Sequence, residues 1–539
     1  MLFVLVSASK SFLVKIGTAM SAPTPQRIPM AMRQRARGWR AKARSSQRNA
    51  FFLETFIESL YHNYMWVFAL FCAAFFVRML ALWHQGSLWF DEVFSVHFSQ
   101  MDWGTMMHYL REDVHPPLYA IVLRLWMLVF GSFDLVLRML SVILGSIGVV
   151  TVSLLVCEVY GKKAGIVAGV VSVFAPVLVF SSVEARMYSL LLCLVSVGAM
   201  FWFRYLRLEK RSWKDLLAWI VPMSCAALTH LGGAVIFGLL IGCTLLAPEL
   251  SRREKIMSSV AGVVGLMPFL WWLVQMLGVR ADSMMSEWQF QNGIETQHHV
   301  VAFFSLLFGV SYWWLVFVFL LGVGCVLMQK QIALTRNAIR AIVICVLYVF
   351  VFFFLPNVAT KYFLAVSPFL VMIFVRFWLQ ILESYKEMRL IGFFVFLMIS
   401  SVFVGSLFAV DARIGWKVLV QNIEAHEQKG DVVVLGWFSS VLPFERYYRG
   451  DMAITFIGPI LAREKRDLAL VRYAGRATFN DEYYDAMQRD LADARRIFVI
   501  TGGDATHNPL LLRLKHDGWS FDTSQAYGSL TPSLFVLSK

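Results

Sequence analysis

Acidic residues and cysteines are scarce in this chain. Of its 539 residues only 16% are charged, and 49 Lys and Arg outnumber 35 Asp and Glu, for a formal net charge of +14. The seven cysteines, Cys72, Cys157, Cys193, Cys225, Cys243, Cys325 and Cys345, all fall in hydrophobic segments, and none lies beyond residue 411. They offer no disulfide framework and no zinc-like spacing, and read as small buried apolar residues. Asn-x-Ser/Thr sequons are missing throughout, which fits a bacterial rather than a eukaryotic secretory source. Internal repeats are missing as well, and with them a common mark of secondary transporters.

What the chain has in abundance is apolar sequence. Hydrophobic residues make up 58% of it and the mean hydropathy is +0.64. Several runs approach the roughly 20 apolar residues that a helix needs to cross a bilayer, so the chain reads as a polytopic membrane protein. Residues 1–20 are apolar with Lys10 and Lys15, and 21–30 are Pro-rich; neither fits a cleavable signal, and Met20 and Met30 stand as alternative starts. Arg33, Arg35, Arg37, Arg40, Lys42, Arg44 and Arg48 follow. Such a run so close to a span belongs on the cytoplasmic side, and its topogenic role is preferred over nucleic-acid binding.

With the N-terminus inside, a first span over about 64–83 carries the acid pair Asp91-Glu92 outside. The apolar run 118–130 contains Arg124 and is too short to span, which suits an amphipathic helix in the interface. The second span therefore starts near Arg138 and ends inside at Tyr160-Gly161-Lys162-Lys163; the third, over 164–181, delivers Ser182 to Tyr188 to the outer face. A fourth ends in the basic stretch 204–214, and 216–246 reads as a tight hairpin with His230-Leu231-Gly232-Gly233 at its outer tip. A seventh span leads to a polar outer loop, 280–299, with Asp282, Glu287, Trp288, His298 and His299; an eighth covers 307–328. The ninth exits at Pro356 to Tyr362, the tenth returns to Tyr385 to Arg389, and the eleventh exits near Asp411. The short inner loops carry net Lys and Arg.

Beyond 411 the composition changes. Short β-like runs (431–437, 453–457, 468–473, 496–501, 533–537) alternate with helical ones (415–428, 481–494, 509–516), which predicts a small soluble α/β domain with a partly parallel sheet. Gly502-Gly503-Asp504 after a strand reads as an ordinary turn rather than a phosphate cradle. The expected organisation is a basic cytoplasmic segment over 1–60, a membrane body over 61–410 with its first outer loop at 84–137, and an outer α/β domain over 411–539.

On this topology four polar clusters share one face: Asp91/Glu92, His115, Glu184/Arg186/Tyr188 and Lys361/Tyr362. Acids beside cations at a membrane surface suit an acceptor that must lose a proton and a phosphate leaving group that must be held. Structural readings stand beside this one. The acids could cap a helix, His115-Pro116-Pro117 could be a rigid loop before a helix, Glu184 and Arg186 could pair with each other, and Lys361 could snorkel to headgroups.

The order of these strings carries a resemblance. Asp91-Glu92, then His115-Pro116-Pro117-Leu118-Tyr119, then Glu184-Ala185-Arg186-Met187-Tyr188, then Lys361-Tyr362 before Pro368, resembles the bacterial GT-C glycosyltransferases. These are relatives of the protein O-mannosyltransferases (family 39) and of the aminoarabinose lipid A transferase, and the likeness covers about 60–410. It implies an α-helical polytopic GT-C-like fold of about 11 spans, a catalytic first outer loop, a polyprenyl-phosphate sugar donor and inversion at the anomeric carbon. It further implies Asp91 as general base with Glu92 supporting, Arg186 and Lys361 on the donor phosphate, and His115 where some members have Lys before Pro-Pro. Members often have Arg at the position of Lys361, and Lys is a point charge rather than a bidentate fork. The implied enzyme acts in the inner membrane on an envelope acceptor (lipid, polysaccharide or protein), amid membrane lipids, with no metal, no cofactor and no nucleic acid. A transporter or flippase of lipid-linked sugars is the alternative from another class. A sensor with an outer ligand-binding domain is disfavoured because the sequence shows no cytoplasmic output domain.

Overall fold

The computed structural model describes residues 65–113, 115–287, 335–353, 360–384, 415–436, 438–456, 481–501, 508–526 and 533–539. The expectations for 1–60, for the loop 288–299, for the spans at 307–328 and up to Asp411, for the strand at 468–473 and for the Gly502-Gly503 turn lie outside these residues. The chain divides into two compact units, Met1–Trp66 and Val67–Lys539. The C-terminal sheet therefore packs in one unit with the helical body.

Among the described residues five helices are long and apolar enough to cross a membrane: Met65–Trp83, Asp134–Tyr160, Tyr188–Arg207, Arg252–Gly278 and Thr360–Gln380. Asp134–Tyr160 and Tyr188–Arg207 are the most buried, and glycines bring them together. A Cβ on Gly148 would strike Leu192 of the second helix at 2.8 Å, and one on Gly145 would strike the Ser182 hydroxyl in the segment that precedes that helix. The span expected over 164–181 is broken. Lys162–Phe174 stops at Ala175 and a short helix, Pro176–Phe180, begins. Pro176 has no N–H to continue the ladder, and it biases the residue before it to the extended conformation that Ala175 adopts.

The hairpin read from 216–246 is present as Trp213–Ala227 and Leu231–Leu245. Each arm has 15 residues, roughly 22 Å of helix at ~1.5 Å per residue, which is short of the roughly 30 Å hydrocarbon core. Its tip accordingly ends inside the protein, with Thr229 and His230 buried. Irregular backbone at that depth needs protein around it. Leu118–Phe130 forms the expected short helix, with Leu125, Leu128 and Val129 exposed and Arg124 folded back onto the Ser99 and Met101 carbonyls.

Basic loops gather at the helix ends away from Asp91. There Arg207 pairs with Glu158, Arg211 with Glu254 at 3.0 Å, and Arg340 with Glu249 at 2.5 Å.

At the C-terminus five strands, β1 (Val432–Leu435), β2 (Ala453–Phe456), β3 (Arg496–Thr501), β4 (Ser520–Ala526) and β5 (Ser533–Ser538), form one sheet in the order β2-β1-β3-β5-β4. The pairs β1–β2 and β1–β3 are parallel and the other two antiparallel, as a partly parallel sheet requires. Alternation sends Val432 and Val434 to one face, against helices Asp481–Asp490 and Pro509–His516, and Val433 and Leu435 to the other, against Trp416–His426 and Val441–Tyr447. Strand β4 was not expected from the sequence: Ser520, Asp522, Thr523, Ser524 and Gln525 make it a polar edge with little β signal.

One glycine tests the hairpin. A Cβ on Gly233 would meet the Ala226 carbonyl oxygen at 2.2 Å and its carbon at 2.4 Å, whereas one on Gly238 meets nothing within 4 Å. Gly233→Ala should cost about 1–3 kcal/mol through overpacking and lower the melting temperature in detergent, with Gly238→Ala close to the parent. Equal melting of the two variants would contradict this packing.

Candidate active site

The segment Gly86-Ser87-Leu88-Trp89 leads into helix Phe90–Gln100, whose first turn contains both acids. They have opposite fates. Glu92, third in the helix, turns back to accept the Trp89 N–H at 3.1 Å. Its carboxylate is closed off from solvent and is gripped by Arg138, Nε to Oε1 at 2.7 Å and Nη2 to Oε2 at 2.6 Å. The Ala185 N–H adds a bond to Oε1 at 2.9 Å. Arg138 spends its remaining donors on the carbonyls of Gly86 (2.6 Å) and Ser87 (3.1 Å). One ion pair thus joins the acid loop, helix Asp134–Tyr160 and the segment that carries Glu184 and Arg186.

Asp91 faces the other way, with its side chain 32% exposed. Lys361 Nζ stands 3.9 Å from its carboxylate and 3.1 Å from Glu184. The ammonium also lies 4.2 Å from the centre of the Trp89 ring and 5.5 Å from that of Tyr188, within cation–π range. Lys361 is the second residue of the helical stretch Thr360–Val366 and is held among these groups, so its side chain is not simply reaching for headgroups.

Arg186 is buried beneath Asp91. Its Nη1 donates to the Asp91 carbonyl at 3.1 Å and to the Ser95 hydroxyl at 2.8 Å, and its Nη2 lies 3.4 Å from His115 Nε2. Burial alone would lower its pKa, but the Asp91 charge overrides this and raises it, so the guanidinium stays charged. His115 is fixed on its other side by Asp113, Nδ1 to Oδ2 at 3.1 Å. The buried hairpin tip closes the floor: the His230 ring lies 6.4 Å from that of His115, 5.9 Å from that of Tyr188 and 5.0 Å from that of Tyr362. The Tyr362 carbonyl accepts from the Tyr348 hydroxyl at 2.6 Å.

Beside this cluster lies a cavity of about 370 Å³, counting space open to solvent. Ser95, Asp113, His115, Arg186 and Thr229 supply its polar wall, and Phe94, Phe98, Tyr119 and Met187 much of its apolar one.

All eight residues singled out from the sequence, Asp91, Glu92, His115, Glu184, Arg186, Tyr188, Lys361 and Tyr362, meet in this one cluster. The proposed Glu184–Arg186 pairing does not form, because Glu184 takes Lys361 while Arg186 turns to Asp91 and His115. Sequence reasoning missed Arg138, Trp89 as a partner of Lys361, Asp113 and His230. An ionisable residue inside an apolar stretch was the available signal for Arg138 and His230; nothing in the sequence says which group 46 residues away Arg138 would find. Among the described residues no three His, Cys, Asp or Glu converge to hold a metal.

Comparisons with known proteins agree with this architecture. Residues 114–273 match the dolichyl-phosphate-mannose-protein mannosyltransferase family model. That segment contains His115, Arg138, Glu184, Arg186, Tyr188 and His230, and stops short of Asp91, Glu92 and Lys361 on either side. The fold is similar to that of ArnT from Cupriavidus metallidurans bound to undecaprenyl phosphate, with a TM-score of 0.55 and 14% identity over 88% of this chain and 98% of that one. It is equally similar to ArnT in the apo state, with a TM-score of 0.56 and 14% identity over 87% and 97% of the two chains. No curated protein matches the sequence. The resemblance to GT-C glycosyltransferases thus holds in the fold and, over 114–273, in the family model.

The Glu92–Arg138 pair makes a measurable claim. Removing one partner of a buried ion pair leaves the other charge uncompensated and costs about 3–5 kcal/mol, so Arg138→Met should melt far below the parent. Arg207→Met, which removes the partner of Glu158 from a guanidinium 61% exposed, should cost at most about 1 kcal/mol. Similar thermal shifts for the two would show that Arg138 is not the anchor.

Proposed function

We propose that this chain is an inverting glycosyltransferase. It moves a sugar from a polyprenyl-phosphate-linked donor to an acceptor at the periplasmic face of the bacterial inner membrane. The observation that carries this reading is the division of labour in the acid pair. Glu92 is saturated by Arg138, Ala185 and Trp89, while Asp91 presents a partly exposed carboxylate beside Lys361.

In this mechanism the acceptor hydroxyl approaches the anomeric carbon from the Asp91 side. Asp91 takes its proton as the new C–O bond forms. The bond from the anomeric carbon to the phosphate oxygen breaks on the opposite side, and the lipid phosphate leaves with the electron pair, so configuration inverts. The developing phosphate charge falls among cations. Lys361 is partly exposed, and Arg186 lines the cavity with its Nε buried and unbonded, a donor that a phosphate oxygen would satisfy. His115, held by Asp113, lies beside Arg186 and helps to orient its guanidinium, and Tyr188 and Tyr362 form an aromatic wall.

The charge distribution supports the orientation. Basic loops cluster at the helix ends away from the site, and by the positive-inside tendency those ends face the cytoplasm. The site, the first loop over 84–137 and the α/β domain over 411–539 then lie outside, and the basic segment 1–60 inside. Acid and cationic groups gathered at one end favour surface chemistry over a transport path through the bilayer.

The test is transfer of labelled sugar from a polyprenyl-phosphate donor to an envelope fraction by protein in proteoliposomes. The parent should transfer sugar. Arg186→Gln should raise the donor KM by roughly 10- to 150-fold, the equivalent of about 1.5–3 kcal/mol for a charge-assisted bond, with melting still cooperative. A parent that moves intact lipid-linked sugar across the bilayer and transfers none would overturn the reading in favour of a transporter.

A further inference from the structure

The C-terminal domain reaches the acid loop directly. Helix Val441–Tyr447 packs on helix Phe90–Gln100, with Leu442 in the core of the helical body and Trp89 against the core of the α/β domain. At the end of that helix the Tyr447 hydroxyl accepts the buried Leu88 N–H at 2.8 Å and donates to Asp134 at 2.8 Å. Asp134 also takes Arg446 at 2.8 Å and Lys417 at 2.9 Å, and stands one turn before Arg138.

The loop before Asp91 is therefore held group by group. Arg138 takes the Gly86 and Ser87 carbonyls, the Lys417 N–H takes the Ser87 hydroxyl at 3.0 Å, Tyr447 takes the Leu88 N–H, and Glu92 takes the Trp89 N–H. The C-terminal domain supplies two of these contacts. Tyr447's is the one on the main chain nearest Trp89, which stacks on Lys361. Burial pushes the Tyr447 phenol up, and the Asp134 charge adds to this, so it remains a hydroxyl able to donate.

We propose that Tyr447 is a positioning residue: its hydroxyl fixes the main chain at Leu88 and so aims Trp89 and Asp91. The inference rests on Asp91 as the base. Asp91 acts on a proton at the reacting centre, where a displacement of about 1 Å costs on the order of 100-fold in rate. Loss of the hydroxyl should therefore slow turnover far more than it weakens donor binding, because Arg186 keeps its Ser95 bond and Lys361 its Glu184 partner.

The experiment compares the full-length parent, Tyr447→Phe and the double variant Lys417→Met/Arg446→Met. Phe keeps the ring and leaves Asp134 its two cations; the double variant removes those cations and keeps the hydroxyl. Two quantities are read: sugar transfer, and hydrogen exchange of the peptide containing Leu88. Tyr447→Phe should lower kcat by roughly 10- to 100-fold with the donor KM within about twofold, and should speed exchange at Leu88. The double variant should do less of both. Unchanged exchange and kcat in Tyr447→Phe would overturn the proposal, as would an equal or larger kcat loss in the double variant, which would make docking in general the cause. If the parent itself transfers no sugar, the reading of Asp91 fails separately, and exchange at Leu88 alone decides whether Tyr447 holds the loop.

Discussion

Arg138 and Glu92 form an ion pair sealed from solvent, and the rest of the site takes its position from it. A guanidinium has five donors in a rigid fork, and here the fork ties helix Asp134–Tyr160 to two other pieces of chain: the acid loop, by the Glu92 carboxylate and the Gly86 and Ser87 carbonyls, and, through Glu92, the segment of the Ala185 N–H. Desolvating such a pair is expensive, so it persists only because the remaining lone pairs are filled as well. Its return is geometric. The acid loop and the Glu184–Arg186 segment, 93 residues apart, are pinned to one point, which brings Arg186 under Asp91 and Glu184 to Lys361.

The same constraint separates two adjacent acids that look alike in sequence. In the first turn of a helix the second acid faces back to the N-cap while the first faces away. Glu92 thereby becomes the cap and the scaffold, and Asp91 keeps lone pairs for chemistry. The capping reading of the acid pair holds for Glu92, and the proposed mechanism assigns the chemistry to Asp91.

Much of this was legible beforehand, because it follows from local pattern. The run 118–130, the hairpin in 216–246, β3 and the helix Pro509–His516 were marked by composition and breakers. The strings around Asp91, His115, Glu184 and Lys361 were marked by charge in an apolar chain. What was not legible depends on long-range pairing. Arg138 looked like the edge of a span, and the link from Leu88 to Tyr447 joins residues 359 apart. The short helix Val441–Tyr447 carries Pro443 and has no periodicity to announce it. The break at Pro176 was readable in principle, since proline ends a helix at the residue before it.

The account depends most on Asp91, and not Glu92, being the proton acceptor. The direct measurement is sugar transfer by Asp91→Asn and Glu92→Gln under saturating donor, with folding of both followed by thermal unfolding. Asp91→Asn preserves shape and removes the acceptor, so transfer should fall by about 100-fold or more with little change in melting. Glu92→Gln weakens the grip on Arg138 and should lower the melting temperature while costing less in turnover per folded molecule. The reverse order, with Glu92→Gln inactive although folded and Asp91→Asn nearly as active as the parent, would contradict the account.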